Sequence, residues 1–155
     1  MKGIKKKKKH GVRWWKGKIW REVFSPYVRL KCALRTTGGT QYLLCCTCGK
    51  PYPAFGVGCA QAGHLVPGRG GSILFDERGV YGQCYNCNIT LKGNWPEYIA
   101  FLKGLHGEKG GQKLIDDLLR LNKQVKKYSV PELQELYDTY KQRYVSLCAQ
   151  HGLKP

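Results

Sequence analysis

Acidic residues are scarce: ten Asp and Glu stand against 27 Lys and Arg in 155 residues, a formal net charge of +17. So one-sided a balance makes a polyanion, nucleic acid first, the expected partner, through phosphate neutralisation and counterion release. Long apolar runs are also missing. No eighteen consecutive apolar residues exist to form a membrane-spanning helix, and no apolar stretch of the kind a secretion signal needs follows the lysine-rich start. The expectation is a soluble, cytoplasmic protein with no membrane partner. Internal repeats are absent, and with 42% hydrophobic residues the chain suffices for one compact domain or a small domain with helical extensions.

The positive charge is uneven, since residues 1–35 hold thirteen Lys and Arg against the single acid Glu22. Lys5, Lys6, Lys7, Lys8 and Lys9 form a run, followed by Trp14, Trp15 and Trp20 among further basic residues. This pattern suits an arm whose lysines meet phosphates and whose indoles, Trp14 and Trp15, stack on bases. A solubilising arm with tryptophans docked on the core is the alternative.

Eight cysteines include two Cys-x-x-Cys knuckles, Cys45/Cys48 and Cys84/Cys87. Without a secretion signal, metal ligation accounts for them better than disulfides. Four thiolates suit a closed tetrahedral zinc site, structural rather than catalytic because no position is left for water. Cys32, Cys46, Cys59 and Cys148 are read as free or buried thiols.

The segment Tyr27–Cys45 reads as two short strands about a Thr-Thr-Gly-Gly turn, with a short helix as the alternative for its first half. Between the knuckles, His64 lies on one expected strand and Ser72–Phe75 on a second, and a helix is expected to begin at Asn88. From Pro96 onward the spacing is helical, ending in a helix with a Ser129/Glu132 capping box and Gly152 as its stop. Its stripe of Tyr137, Tyr140 and Tyr144 reads as core or a dimer seam. The expected class is α+β, with a basic arm at 1–24, a zinc-stapled core at 25–106 and a helical extension, a candidate dimerisation element, at 107–155.

From about Leu43 to Leu147 the chain resembles the NinG or Rap recombination proteins of lambda-like phages, within the HNH (ββα-metal) nucleases. The resemblance rests on Cys-x-x-Cys-Gly at Cys45–Gly49, Ala-Gly-His at Ala62–His64, Leu-Phe-x-Glu-Arg at Leu74–Arg78, Gln-Cys-x-x-Cys-Asn at Gln83–Asn88, and Gly93, Asn94 and Tyr98. It implies an endonuclease for branched DNA, Holliday junctions and D-loops, acting as a homodimer with Mg²⁺ or Mn²⁺ beside the structural zinc. By this resemblance His64 is the general base and Asn88 a ligand of the catalytic cation. Two positions depart from the pattern. Gly79 stands where an Asn is usual and Gly63 where an acid often precedes the histidine, so the cation site's carboxylate is expected from Asp76 or Glu77, Asp76 being preferred. Arg69 and Lys92 are expected to hold backbone phosphates. The rival readings are a non-catalytic zinc-stabilised nucleic-acid-binding module and, more remotely, a ribosome-associated zinc protein.

Overall fold

Between Gly11 and Gly38, the latter in the left-handed region at φ +71°, the chain is helical throughout. In this computed structural model, which describes residues 10–67 and 71–155, that run comprises α1 (Val12–Ile19), a π-helical turn (Trp20–Phe24) and α2 (Ser25–Thr37). Pro26 has no amide for the carbonyl four residues back, and the wider turn just upstream accommodates the missing bond. Lys5, Lys6, Lys7, Lys8, Lys9 and Arg69 lie outside the described residues.

The expected strand in the first half of Tyr27–Cys45 is therefore helix α2, and only β1 (Tyr42–Leu44) is extended. The misleading signal has a physical source. Helix α2 packs against both sheets and against the last helix, so Pro26, Val28, Leu30 and Cys32 are all buried and mimic strand periodicity.

Strand β1 pairs antiparallel with β2 (Pro51–Pro53), and β3 (Gln61–His64) pairs antiparallel with β4 (Val80–Gln83), placing His64 opposite Val80. The expected strand at Ser72–Phe75 is instead a series of turns. Its apolar residues Ile73 and Phe75 enter the core from a loop, and a 3₁₀ turn (Glu77–Gly79) leads into β4. A helical turn (Asn86–Thr90) follows, then α3 (Trp95–His106), α4 (Glu108–Asn122) and α5 (Val130–Gln150). Both halves of the capping box at Ser129 and Glu132 form, and Gly152, at φ +65°, lies just past the end of α5.

One core takes Ile19, Val23 and Phe24 from the N-terminal helix, Leu43, Val80 and Tyr98 from the middle, and Ile115, Leu133 and Tyr140 from the last third. The boundary expected after residue 24 thus falls inside a continuous helix, and residues from Val12 onward belong to the core rather than to a free arm. The helices beyond residue 106 close the same core. Helix α5 lies on α1 and α2, with Tyr137 against Trp15 and the Tyr140 hydroxyl on the Phe75 carbonyl at 3.2 Å. Among the described residues no helix is long and apolar enough to cross a membrane.

Candidate metal centre and histidine hairpin

Cys45 and Cys48 follow β1, while Cys84 follows β4 and Cys87 sits in the helical turn, so the two knuckles approach from different sheets. Their four sulfurs lie within 4.8 Å of one another, with Cys48 and Cys84 4.0 Å apart. Thiolates about 2.3 Å from a zinc ion stand about 3.8 Å apart in a tetrahedron, so the cluster could hold a structural metal such as zinc. Gly49, at φ +70°, closes the first knuckle by donating its amide to the Cys45 carbonyl at 2.8 Å. The Cys84 amide donates to Cys45 Sγ at 3.3 Å, the Cys87 amide to Cys84 Sγ at 3.4 Å, and Asn94 Nδ2 to Cys87 Sγ at 3.8 Å.

Burial pushes the Cys45 thiol up, but hydrogen bonds from Thr47 and from the Cys84 and Cys48 amides outweigh it and bring it down to about 6. Burial pushes Cys48 up to about 12 and also raises Cys87. A thiol depressed by folding stabilises the fold above its ordinary range and loses that contribution as pH falls through about 6. Metal affinity is therefore expected to weaken steadily on acidification, as protons compete for the sulfurs, in a competition titration against a chromophoric chelator. All eight cysteines are free of disulfides, and outside the cluster Cys32 and Cys46 are held protonated by burial while Cys59 accepts from Arg29 at 3.1 Å.

His64 ends β3 and is 8% exposed. Its Nε2 lies 3.0 Å from the Leu74 carbonyl, which can only accept, so Nε2 carries the proton and in the neutral ring Nδ1 holds the lone pair. Trp20, from the π-helical turn, stacks on the imidazole at 4.9 Å and 16°. The buried Tyr98 hydroxyl reaches the Gly63 carbonyl at 2.8 Å and the Gly79 carbonyl at 3.2 Å, tying β3 to the turn that leads into β4. Neither Trp20 nor the clasp of Tyr98 is legible as a site feature in the sequence, because both depend on elements distant along the chain.

Asn88 approaches the same strand from its other side. Its Nδ2 donates to Gln61 Oε1 at 2.7 Å, and a Cβ on Gly63 would lie 3.1 Å from its Oδ1. Alternation along β3 sends His64 toward Trp20 and position 63 toward Asn88, so the two motif residues flank one strand end rather than share one face.

The place of the missing acid is filled. A Cβ on Gly63 would collide with Oε1 of Gln83, whose residue is fully buried and whose Nε2 donates to the Gly93 carbonyl at 2.9 Å and to Thr47 Oγ1 at 3.2 Å. Gln83 Oε1 itself has no hydrogen-bond partner among the described residues. Gly63→Ala is expected to destabilise the protein by about 1–3 kcal/mol through overpacking. Gly104→Ala, at an exposed helix position with open space, is expected to stabilise it by about 0.5–1 kcal/mol. Urea melts of both variants test the contrast, and equal effects would contradict it. At Gly79 a Cβ would lie 2.8 Å from the end of the buried Leu118 side chain, so a larger residue there requires that leucine to shift.

Asp76, the carboxylate expected at the cation site, is engaged by Arg78. Its Oδ1 accepts from the Arg78 amide at 3.1 Å and from Arg78 Nε at 3.0 Å, its Oδ2 takes an Arg78 terminal nitrogen at 2.7 Å, and Arg78 continues to Asp117 at 2.8 Å. The carboxylate caps the 3₁₀ turn and anchors this ion-pair chain, which raises the Arg78 guanidinium above its ordinary range. Glu77 is likewise committed, to Lys31 at 2.8 Å and Arg143 at 2.7 Å. Lys92 is exposed and takes a positive φ of 50°. Trp14 stacks on His10 at 3.6 Å and is partly exposed, whereas Trp15 packs into the core. Among the described residues, the four cysteines are the one group of three or more His, Cys, Asp or Glu at metal-binding spacing.

The arrangement defines a basic α+β protein in which a histidine-bearing hairpin is braced by a four-cysteine cluster able to hold a metal. The family described as Bacteriophage Lambda NinG protein matches residues 2–149, and the chain belongs to the NinG family. No curated protein and no solved structure matches the chain. The match reaches the amino-terminal helix, which accords with that helix being part of the core.

Proposed function

We propose that this protein is a zinc-stapled, HNH-type endonuclease that cleaves branched recombination intermediates, such as Holliday junctions and D-loops, in the cytoplasm of the phage's host. The observation that carries the reading is the succession of β3, β4 and helical turn, with His64 at the hairpin end, Asn88 on the turn and the cysteine cluster gripping the turn's base. Strand, strand and helical turn in that order support the ββα plan that the resemblance implies.

His64 accepts a proton from the attacking water at Nδ1, while the Leu74 carbonyl fixes the Nε2–H tautomer and Trp20 fixes the ring plane. The oxygens nearest the position of the missing acid are the amide oxygens of Asn88 and Gln83, both neutral. Such a donor set fits a hard cation only in part, since Mg²⁺ and Mn²⁺ favour one or two carboxylates together with substrate phosphates. A cation held there by Asn88 and Gln83 would neutralise charge on the phosphate and the leaving oxygen. Symmetric resolution of a junction requires two such sites, so the functional unit is a homodimer.

The deciding experiment incubates the protein with a synthetic four-way junction in cation-free buffer, in Mg²⁺ and in Mn²⁺. Cleavage that requires the added cation supports the reading. Tight, salt-sensitive binding without cleavage in either cation overturns it in favour of a non-catalytic zinc-stabilised nucleic-acid-binding module, the reading that the glycines at 63 and 79 favour.

A further inference from the structure

Part of the positive charge on the body of this protein is neutralised by ion pairs. On α1, Lys18 pairs with Glu22 at 2.6 Å; Lys31 and Arg143 share Glu77; Arg78 and Arg120 share Asp117. Lys16 and Lys126 are distinguished by where they meet. Neither joins an ion pair among the described residues, yet their ammonium groups, from opposite ends of the chain, converge on one ring, at 5.0 and 4.7 Å from the Tyr128 centroid. Two like charges gathered on one aromatic ring, with Glu132 and Asp76 acting on Lys126 and Tyr128 only from beyond ion-pair distance, form an arrangement that an anion stabilises.

The pair also lies beside the histidine hairpin. Lys16 and Trp20 are four residues apart on one continuous helix and share a face, and Trp20 is the residue stacked on His64. From the other side, the Tyr128 hydroxyl donates to the Gly71 carbonyl at 2.8 Å and Ser72 Oγ donates to the Leu121 carbonyl at 2.5 Å. These two bonds fasten the loop that leaves His64 onto the connection between α4 and α5. That connection carries Lys123 and Lys127 in addition to Lys126, all exposed.

We propose that Lys16 and Lys126, about the Tyr128 ring, form a seat for backbone phosphates of the DNA strand that runs past His64. The seat assigns a role to the helical last third: it supplies one wall of the substrate channel, and α1 supplies the other. The proposal rests on the reading of His64 as the cleavage site only for its position along the strand; phosphate binding at the seat stands apart from it.

The test compares the double variant Lys16→Gln/Lys126→Gln with a control, Lys109→Gln/Lys113→Gln, which removes the same charge from α4. Affinity for a four-way junction is measured across a salt series without divalent cation. Each phosphate contact contributes about 0.9 to the slope of log K against log salt, so loss of the seat is expected to flatten the slope by about 1.8. The control is expected to leave it within about 0.5 of wild type, since non-contacting lysines release no counterions on binding. An unchanged slope in the seat variant, or equal flattening in the control, overturns the proposal. In cleavage, the seat variant is expected to raise KM with kcat retained. A flattened slope in a protein that proves unable to cleave would uphold the seat while removing the endonuclease reading, so the two fail separately.

Discussion

Replacing Cys84 with serine, or removing the ion with a strong chelator, is expected to unfold the region around both sheets. Each sheet has two strands, of three and four residues, too short to persist without a partner layer or a staple. A metal held by the cluster would be that staple: Cys45 and Cys48 extend from β1 while Cys84 and Cys87 extend from β4, so one ion there would join the two. Structural zinc contributes about 10–16 kcal/mol in small metal-folded units. That is comparable with the whole stability of an ordinary domain, about 5–15 kcal/mol. The expected result is one zinc ion per chain by elemental analysis, and loss of the cooperative thermal transition in the chelated protein or the Cys84→Ser variant. Cys46→Ala, beside the first knuckle but outside the cluster, is expected to keep its zinc and lose only about 1 kcal/mol. An unaltered melting temperature in metal-free protein would remove the structural role.

The second large effect concerns catalysis under the proposed function. His64→Ala is expected to lower kcat on a junction substrate by about 10²–10⁴-fold, the usual contribution of general-base catalysis, with junction affinity unchanged. Trp20 acts through His64, so its removal is expected to show a graded pattern. Trp20→Phe keeps a stacking ring and most of the rate, while Trp20→Ala loses about tenfold or more, as misplacement of a reacting group does. Rescue of the rate by Trp20→Phe, with thermal melts of both variants alongside, separates positioning from loss of fold. Full cleavage by His64→Ala would end the general-base assignment, whatever the state of the cation site.

Much of this architecture is written locally. The paired knuckles, the capping box at Ser129 and Glu132, Gly152 at the end of α5, and the helices of the last third follow from short-range spacing and all form. Legibility ends where burial comes from several sides. Helix α2 reads as a strand because it is enclosed by sheets and a helix, and Ser72–Phe75 reads as a strand although its apolar side chains anchor a loop in the core. The candidate site divides the same way. His64 and Asn88 can be named from motif order, but Asp76 is drawn away by Arg78, and Gln83, whose amide fills the space beside Gly63, has no signal of its own beyond preceding a cysteine.

The sequence by itself therefore determined a basic chain with two pairs of thiols at ligand spacing and capped helices in its last third. Spacing suffices for these because knuckles and caps are closed by residues three or four apart. Only the tertiary structure decided that the N-terminal helix is core rather than arm, that Trp20 covers His64, and that Lys16 and Lys126 share one ring. Those contacts join residues tens to more than a hundred positions apart, and a single core that draws on both ends of the chain is what brings them together.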